Sequence, residues 1–328
     1  MIAKRAMMCC AGPLALLLLN LPASGQLKQT PTDEVQPASS SITSLGLSQS
    51  EGAELQHAID TRDYLIAEKI LLAEIDRDAH SKRTARLLDY AGSVYFLNHD
   101  YLHAAVAWKK SEAIEPLDPK LQFSLAMAYI QISKPDWARP VLKSLAASYS
   151  KEALYPYWLG RLDYDGHEYD GAIRNFKLAI GLNPQMARAY DNIGLCYYYE
   201  NQNDLAIENY KKAIQLDRES AHPSPWPYLN LGITLQFLNR FSEAEENLRE
   251  AIRLNPDFTQ AHFQLGLVLE QMLRFDASIE ELRKAASLDA QYPEPHMAMA
   301  RVYRRLGKEA AAREEVQTYL RLHPRSTP

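Results

Sequence analysis

The chain has 328 residues, of which 47% are apolar and 23% are charged, so it can form a packed core and is not disordered throughout. Its formal net charge of −5 argues against nucleic acid or an anionic membrane as the main partner, because both bind basic surfaces. With only 13 glycines and many alanine, leucine and tyrosine residues, the composition favours helices over sheets.

The first 25 residues have the pattern of a cleavable signal peptide. Lys4 and Arg5 form a short basic region, an apolar run follows to Leu21, and small residues at 23–25 suit a signal peptidase. We expect cleavage near Gly25 and export to a bacterial periplasm or the extracellular space, with no stable membrane insertion afterwards. The apolar run is short for a membrane span, so an uncleaved N-terminal anchor is the minor alternative.

Residues 26–84 precede the main body of the chain. Residues 26–47 are rich in Ser, Thr, Pro and Gln and have no sustained apolar period, so they predict a disordered linker. Residues 48–84 predict a degenerate N-terminal repeat with two helices. The apolar positions that mark these two helices are Leu55 and Ile59, followed by Tyr64, Ala67 and Leu71.

From residue 85 to residue 326 the sequence repeats seven times with a period of 34, apart from a four-residue insertion at 221–224. One column holds small residues: Gly92, Ala126, Gly160, Gly194, Gly232, Gly266 and Ala300. Twelve positions later lies a second small column: Ala104, Ala138, Ala172, Ala206, Ala244, Ser278 and Ala312. Four positions after that lies a column of large residues: Trp108, Leu142, Phe176, Tyr210, Leu248, Leu282 and Val316.

Each repeat predicts two antiparallel helices. The apolar residues around the first small column recur at i, i+3, i+4 and i+7, and those of the second column at i, i+4 and i+7, which are spacings of one helix face. Small residues let two helices approach closely while the large residues fill the remaining space. Proline ends the second helix in four units, at Pro116, Pro184, Pro256 and Pro324. The predicted fold class is all-α.

These columns resemble the tetratricopeptide repeat family. The clearest unit contains Tyr190, Ile193, Gly194, Tyr197, Ala206, Tyr210 and Ala213. The resemblance implies a right-handed superhelical solenoid of antiparallel helix pairs, whose concave groove is lined mainly by the first helix of each pair. Some residues depart from the pattern and predict local kinks or loose packing: Gln122, Pro140, Pro156 and Asp163.

The resemblance also implies which side chains line the groove. Aromatic residues one turn away from the packing columns would face it: Phe96, Phe123, Tyr157, Trp158, Tyr164, Tyr198, Tyr199, Trp226, Phe237 and Phe263. Packing of these rings against the neighbouring unit is the alternative.

Three carboxamides and a basic cluster complete the predicted groove. Asn192, Asn230 and Gln264 occupy one position in successive units and would hold the backbone of an extended peptide, unless they are merely solvated. Arg301 and Arg305, with Arg304 between them, could receive an acidic segment or form a solvated face.

The sequence contains none of the usual catalytic motifs. There is no Gly-rich phosphate loop, no G-x-S-x-G, no H-E-x-x-H and no C-x-x-C. The acidic stretch at 163–170 lacks the glycine and glutamate positions of a calcium loop. His262 and His296 are interpreted as packing rings, and Cys196 has no basic neighbour that would activate it. We expect no catalytic residue, no metal, no cofactor and no small-molecule substrate.

The sequence therefore predicts an exported scaffold that binds a protein or peptide segment in its groove. The alternatives are a structural subunit of an envelope complex, assembled through outer faces or array ends, and a non-catalytic accessory to an enzyme. Groove binding predicts that Asn192→Ala combined with Asn230→Ala weakens binding of a partner and leaves the melting temperature unchanged.

Overall fold

The computed structural model describes residues 42–77 and 81–323. The predicted signal peptide, residues 26–41 of the predicted linker and Pro324 lie outside the described residues. Within the described ranges the secondary structure consists of one short 3-10 helix and sixteen α-helices, without strands. The all-α fold predicted from the sequence is confirmed.

The chain divides into two compact units, one ending at Leu145 and the other starting at Ala146. The first unit contains the 3-10 helix Ile42–Leu45 and helices α1 Gln49–Asp60, α2 Tyr64–Ile75, α3 Lys82–Leu97, α4 Tyr101–Glu112 and α5 Pro119–Gln131. Helix α6, Pro135–Ser148, contains the division point. The second unit continues with α7 Leu154–Asp165, α8 Tyr169–Leu182, α9 Ala187–Tyr199, α10 Asn203–Asp217, α11 Trp226–Phe237, α12 Phe241–Leu254, α13 Thr259–Gln271, α14 Phe275–Leu288, α15 Glu294–Arg305 and α16 Glu309–Leu322.

The predicted linker is wrong at its C-terminal end. Residues 42–45 form the 3-10 helix, and Leu45 is fully buried in a core cluster with Leu55 and Leu87. Arg83 fixes this segment, because its Nε donates a hydrogen bond to the carbonyl of Leu45 over 3.0 Å. Leu45 and the hydrogen bonds from Arg83 thus order a segment whose composition alone predicts disorder.

Local capping signals explain where the helices of the first unit begin. Ser48 and Glu51 form a capping box at the start of α1, and Ser81 caps α3. Asp118 caps α5 and is followed by Pro119, whose missing amide hydrogen would have had no helical partner at that position.

The contact between the paired helices is the one that the repeated columns predict. A Cβ atom placed on any glycine of the first small column would lie 2.5–2.8 Å from the large residue sixteen positions later. The pairs are Gly92 with Trp108, Gly160 with Phe176, Gly194 with Tyr210, Gly232 with Leu248 and Gly266 with Leu282. Every residue of the second small column is fully buried. The predicted pairing of small and large residues is confirmed.

The turn within each pair is also repeated. A residue with positive φ occupies the same place in successive turns, at His99, Ser133, His167, Asn201, Asn239, Leu273 and Gly307. Because only Gly307 is a glycine, the other turns place a side chain in a backbone region that L-residues adopt rarely.

Two of the departures from the family pattern are accommodated within the helices. Helix α6 continues through Pro140. Asp163 on α7 takes the place of a packing tyrosine and accepts a 2.7 Å hydrogen bond from Asn175 Nδ2 on α8. A hydrogen bond therefore replaces a ring contact in this pair.

In the second unit each first helix contacts the next first helix as well as its own partner. The sequence of these contacts is α7 to α9, α9 to α11, α11 to α13 and α13 to α15. The odd-numbered helices therefore form one layer, and the predicted groove residues from Tyr157 onward lie on it.

Candidate protein-interaction surface

Most of the aromatic residues predicted to line the groove are buried instead. The buried rings are Phe96, Phe123, Tyr157, Trp158, Tyr164 and Phe263, all at most 8% exposed. Tyr157, for example, packs with its ring centroid 5.7 Å from that of Phe176 on α8, and Phe96 lies 6.0 Å from Trp108. The groove prediction is wrong for these six because their helix positions face the partner helix or the neighbouring repeat.

Three predicted rings form a partly exposed line on the second unit, which we call the aromatic ridge: Tyr199, Tyr198 and Phe237. Tyr198 and Tyr199 lie 5.5 Å apart on α9, and Phe237 on α11 lies 6.2 Å from Tyr198. Tyr198 and Tyr199 are half-buried, whereas Phe237 is 46% exposed. The ridge therefore crosses two repeats and ends in an accessible ring.

Tyr169 supports the ridge but is not among the groove residues predicted from the sequence. Its ring stacks on Tyr199 at 5.5 Å with an angle of 4° between the planes. The repeat pattern could have identified Tyr169, because Tyr101 occupies the equivalent position two repeats earlier and packs on Phe96. Trp226 is also half-buried, and its ring lies 4.8 Å from that of Phe258.

The two asparagines of the predicted ladder connect neighbouring first helices. Asn192 Nδ2 donates to the hydroxyl of Tyr157 over 3.3 Å, and Asn230 Nδ2 donates to Asp191 Oδ1 over 2.9 Å. Both asparagines are buried, with 3% and 7% exposure. The predicted role as an open clamp for a peptide backbone is wrong for these two donors, and so is the solvated alternative, because each donor is used inside the protein.

Gln264 occupies the third position of the same ladder but has no such partner. It is 1% exposed, and neither Nε2 nor Oε1 forms a hydrogen bond. The residue equivalent to Tyr157 and Asp191 in the preceding repeat is Leu229, which has no side-chain acceptor. The ladder therefore stops at the contact between α11 and α13, and Gln264 does not present its amide on an open groove.

Arg301 and Arg305 do not form a free basic cluster. Both make ion pairs with Glu270, a buried residue of α13 that is not among the predicted site residues. Arg301 Nε lies 2.8 Å from Glu270 Oε1, and the guanidinium of Arg305 also lies 4.9 Å from the ring centroid of Phe275. Glu270 offsets one of these positive charges, so the cluster is not free of an acidic partner, and a receptor for an acidic segment at Arg304 and Arg305 stays a prediction.

Two tetratricopeptide repeat family models match the chain, at residues 185–257 and 229–294. Residues 185–294 therefore consist of tetratricopeptide repeats. Small glutamine-rich tetratricopeptide repeat-containing protein 2 of Saccharomyces cerevisiae is 30% identical over 108 residues, which are 32% of this chain and 29% of that protein. The chain thus spans less than a third of the length of the curated relatives that it matches.

Solved structures of other repeat proteins share the fold. PilW, a widely conserved type IV pilus biogenesis factor, superposes with a TM-score of 0.58 at 20% identity, covering 63% of this chain and 94% of PilW. The C-terminal part of a repeat protein from Cytophaga hutchinsonii gives a TM-score of 0.53 at 17% identity, covering 72% and 95% of the two chains. Tetratricopeptide repeat proteins are generally non-catalytic scaffolds, so a role in protein–protein interaction is supported.

A buried cysteine and two histidines of the second unit are held in structural contacts. Burial raises the pKa of the Cys196 thiol to about 12, so the thiolate is not populated near neutral pH. His262 and His296 also form polar contacts. Nδ1 of His262 lies 2.7 Å from Glu281, and Nδ1 of His296 lies 2.7 Å from Glu315. Across residues 42–77 and 81–323, no group of three or more His, Cys, Asp or Glu residues is placed to hold a metal, and no helix could span a membrane.

Proposed function

We propose that the second unit binds a peptide segment of a partner protein on its first helices, with the aromatic ridge as the main contact. The observation that carries the proposal is the line of rings across α9 and α11, which ends at the exposed Phe237. Rings of this kind are enriched at the points where protein interfaces concentrate their binding energy. The asparagine ladder has no part in this proposal, because its donors are used internally.

The ridge is suited to binding because its rings are already fixed. Tyr199 stacks on Tyr169, and Tyr198 contacts both Tyr199 and Phe237 edge-to-face. A side chain that is ordered before binding loses little conformational entropy when a partner arrives. The surface therefore favours a segment that brings apolar side chains to α9 and α11.

Site-specific photocrosslinking tests this proposal in the native host. The photoreactive amino acid p-benzoyl-phenylalanine replaces Phe237 in one protein and Leu178 in the control protein. Leu178 on α8 is 61% exposed but lies on a second helix. We expect a specific crosslinked protein from position 237 and not from position 178. Crosslinks from position 178 alone would contradict binding at the ridge.

The crosslinked segment then allows a quantitative measurement. It is synthesised as a peptide and titrated into the wild-type protein, Phe237→Ala and Leu178→Ala by calorimetry. Loss of a central aromatic contact should weaken binding about 10-fold or more, whereas Leu178→Ala should leave it unchanged. Equal affinities for all three proteins would exclude the ridge as the binding surface.

A second candidate function is that of a structural subunit bound through second helices. Five apolar side chains are exposed on α2 and α4 of the first unit: Leu65, Ile66, Leu72, Leu102 and Val106. Leu65 is 72% exposed and Leu102 is 56% exposed, and they occupy equivalent positions in successive helix pairs. A crosslinker at position 102 tests this candidate, which predicts a partner there and none at position 237.

We also propose that the protein is exported. The support is the arrangement of Lys4 and Arg5, the apolar run and the small residues that end at Gly25. Cell fractionation followed by N-terminal sequencing should find a mature chain that starts near Gln26 outside the cytoplasm. A cytoplasmic protein that retains Met1 or Ile2 would contradict export, and an exported one would indicate the uncleaved anchor.

A further inference from the structure

The exposed apolar side chains on α2 and α4 of the first unit form one surface, which we call the aliphatic face. Its members are Leu65, Ile66, Leu72, Leu102 and Val106. Leu65 and Leu72 lie two turns apart on α2, whereas Leu102 and Val106 lie one turn apart on α4. Asn98 Nδ2, at the end of α3, donates a 3.1 Å hydrogen bond to Glu68 Oε1 on α2. This bond places α2 beside the turn that leads into α4, so the two helices share one face of the unit.

The repeat position of Leu65 and Leu102 is acidic in later helix pairs. It is the second residue of each second helix, and its later occupants include Asp170, Asp204 and Asp276. A carboxylate in the first turn of a helix interacts favourably with the helix dipole. The two leucines lack that stabilisation and are 72% and 56% exposed to water. A contact outside the chain therefore explains them better than the fold does.

The charged residues that are exposed on α2 and α4 are all lysines: Lys69, Lys109 and Lys110. Lys69 lies between Leu65 and Leu72 along α2, and Lys110 lies one turn after Val106 on α4. Lys69 and Lys110 form no ion pair with the described residues. The aliphatic face therefore carries two uncompensated positive charges.

The acidic groups near these lysines are engaged within the chain. Glu112 pairs with Lys109 in the same helix, and Glu68 is half-buried and accepts the hydrogen bond from α3. Asp63 and Asp100 cap the two helices by accepting hydrogen bonds from backbone amides of the first turn. The local charge of the face thus differs from the net charge of the whole chain, which is −5.

The composition of the face distinguishes a lipid surface from a protein partner. Protein interfaces are enriched in aromatic residues, methionine and arginine and depleted in lysine. The aliphatic face and the exposed charged residues on its two helices contain none of the enriched types and three lysines. Helices that lie on a membrane bury aliphatic side chains at the boundary between headgroups and acyl chains, and their lysine stems extend so that the ammonium groups reach anionic lipids.

We propose that the aliphatic face of the first unit binds the surface of an anionic phospholipid bilayer. Its leucines enter the headgroup region, while Lys69 and Lys110 meet lipid phosphates. The chain's net charge does not prevent this contact, because salt screens exposed charges beyond about 8 Å at physiological ionic strength. This contact goes beyond the proposed function, which places the partner segment on the second unit. It also assigns a lipid surface to residues at which the second candidate function expects a protein.

Site-specific fluorescence quenching in the full chain tests the proposal. An environment-sensitive fluorescent amino acid replaces Leu102 in one protein and Asp204 in the control protein. Asp204 is exposed and occupies the same repeat position on α10. The vesicles contain phosphatidylcholine alone or mixed with phosphatidylglycerol, and both kinds carry a spin-labelled lipid as quencher. We expect strong quenching at position 102 with the anionic vesicles, weaker quenching with the neutral ones, and none at position 204.

Two variants of the protein labelled at position 102 test the apolar and the charged parts of the face separately. Leu65→Ser with Leu72→Ser removes two exposed leucines, and Lys69→Glu with Lys110→Glu reverses the uncompensated charges. Each lysine near an anionic surface strengthens binding about 5-fold. The lipid concentration needed for half-maximal quenching should therefore rise about 10-fold or more in each variant. Every protein in this series has the same N-terminal segment, so a change between variants reports on the face.

The matched control is Leu178→Ser with Leu205→Ser, which removes two exposed leucines from second helices of the second unit. It should leave quenching at position 102 unchanged. All these side chains are exposed, so circular dichroism should show intact helices in every variant.

Several results would overturn the proposal. These are equal quenching at positions 102 and 204, a response at position 102 that neither variant weakens, and an equal loss in the control variant. A protein crosslinked at position 102 without quenching by vesicles would assign the face to the second candidate function instead. A dimer in solution that Leu65→Ser with Leu72→Ser dissociates would assign it to a second copy of the chain. Each of these results would leave the ridge proposal standing, because crosslinking at position 237 tests that separately.

Discussion

Two neighbouring contacts between first helices of the second unit use their polar residues differently. Between α9 and α11, Asn230 donates to Asp191 over 2.9 Å. Between α11 and α13 the equivalent positions hold Leu229 and Gln264, and the glutamine amide has no hydrogen-bond partner. The first contact gains a hydrogen bond, whereas the second buries a polar group without one.

The difference shows what a regular repeat leaves undetermined. The positions that pack the paired helices are constant in size, but the residues joining one repeat to the next vary from Tyr157 to Asp191 to Leu229. In repeat arrays the stability is approximately a sum over repeats and their neighbouring interfaces. A single polar mismatch therefore lowers the stability of one interface and leaves the others unchanged.

The largest expected effect is at the satisfied contact. Asn230→Leu removes the donor to Asp191 and leaves a buried carboxylate oxygen without this partner. We expect the free energy of unfolding to fall by about 1–3 kcal/mol, and hydrogen exchange on α11 to accelerate. The measurement is urea unfolding followed by circular dichroism, combined with exchange mass spectrometry.

Asn247→Leu is the matched control for this substitution. Asn247 lies on the second helix α12 and donates only to the carbonyl of Glu243 in its own helix, over 2.8 Å. Its replacement should change the stability by about 0.5 kcal/mol or less. If Asn230→Leu is as mild as Asn247→Leu, the bond between α9 and α11 adds nothing to the fold. The open-groove hypothesis predicts an unchanged melting temperature for the combined Asn192→Ala and Asn230→Ala variant. A loss of stability in that variant would contradict the hypothesis.

A smaller effect of opposite sign is expected at the mismatch. Gln264→Leu replaces a buried amide without hydrogen bonds by an apolar side chain of similar size. The free energy of unfolding should rise by about 1–2 kcal/mol, because the desolvation cost of the amide disappears. A lower stability would show that the amide has a partner in solution. If Gln264→Leu is more stable but no longer binds the crosslinked segment, the amide of Gln264 is required for binding the partner.

A double-mutant cycle at positions 229 and 264 tests whether the contact between α11 and α13 can form the hydrogen bond that joins α9 and α11. Leu229→Asn supplies the acceptor that the ladder lacks at this contact. The effect of Leu229→Asn should be more favourable by about 0.5–1.5 kcal/mol with Gln264 than with leucine at position 264. An interaction energy near zero would mean that positions 229 and 264 do not form an equivalent of the Asp191–Asn230 contact.

The helix pairs were predictable because their signal is steric and repeated. Each glycine of the first small column meets a large residue sixteen positions later, and this regularity is visible without coordinates. The exception, residues 42–47, has no repeat to identify it. Its order depends on Leu45 and on hydrogen bonds from Arg83, which lies 38 positions later.

The surface was harder to predict because a helix period does not tell an open face from a face covered by the next repeat. Tyr164 and Tyr198 occupy the same position in successive repeats, yet the first is 4% exposed and the second is half-buried in the ridge. The charge on Arg301 was likewise visible, but its partner Glu270 lies 31 positions earlier and belongs to another repeat. Contacts between repeats depend on pairs of columns that composition does not reveal.

The smallest expected effect concerns a second buried polar residue of α13, which has the partners that Gln264 lacks. His262 Nδ1 lies 2.7 Å from Glu281, and Nε2 lies 3.0 Å from the carbonyl of Pro256. Burial, the largest single influence, lowers the pKa of His262, as does Lys284, but both hydrogen bonds and the charge of Glu281 together leave it raised. Because two acceptors face the ring, the doubly protonated imidazolium satisfies both.

A raised folded-state pKa gives the direction of the pH dependence. The stabilisation from His262 is fully present below its unfolded pKa of about 6.5, and it is lost as the pH rises through the higher folded value. We expect the free energy of unfolding, measured with urea, to fall from about pH 6.5 upward, by about 1 kcal/mol or less. Glu281→Gln keeps an acceptor but removes the charge, so this slope should shrink. A slope that is identical in wild type, Glu281→Gln and His262→Gln would show that other groups cause it.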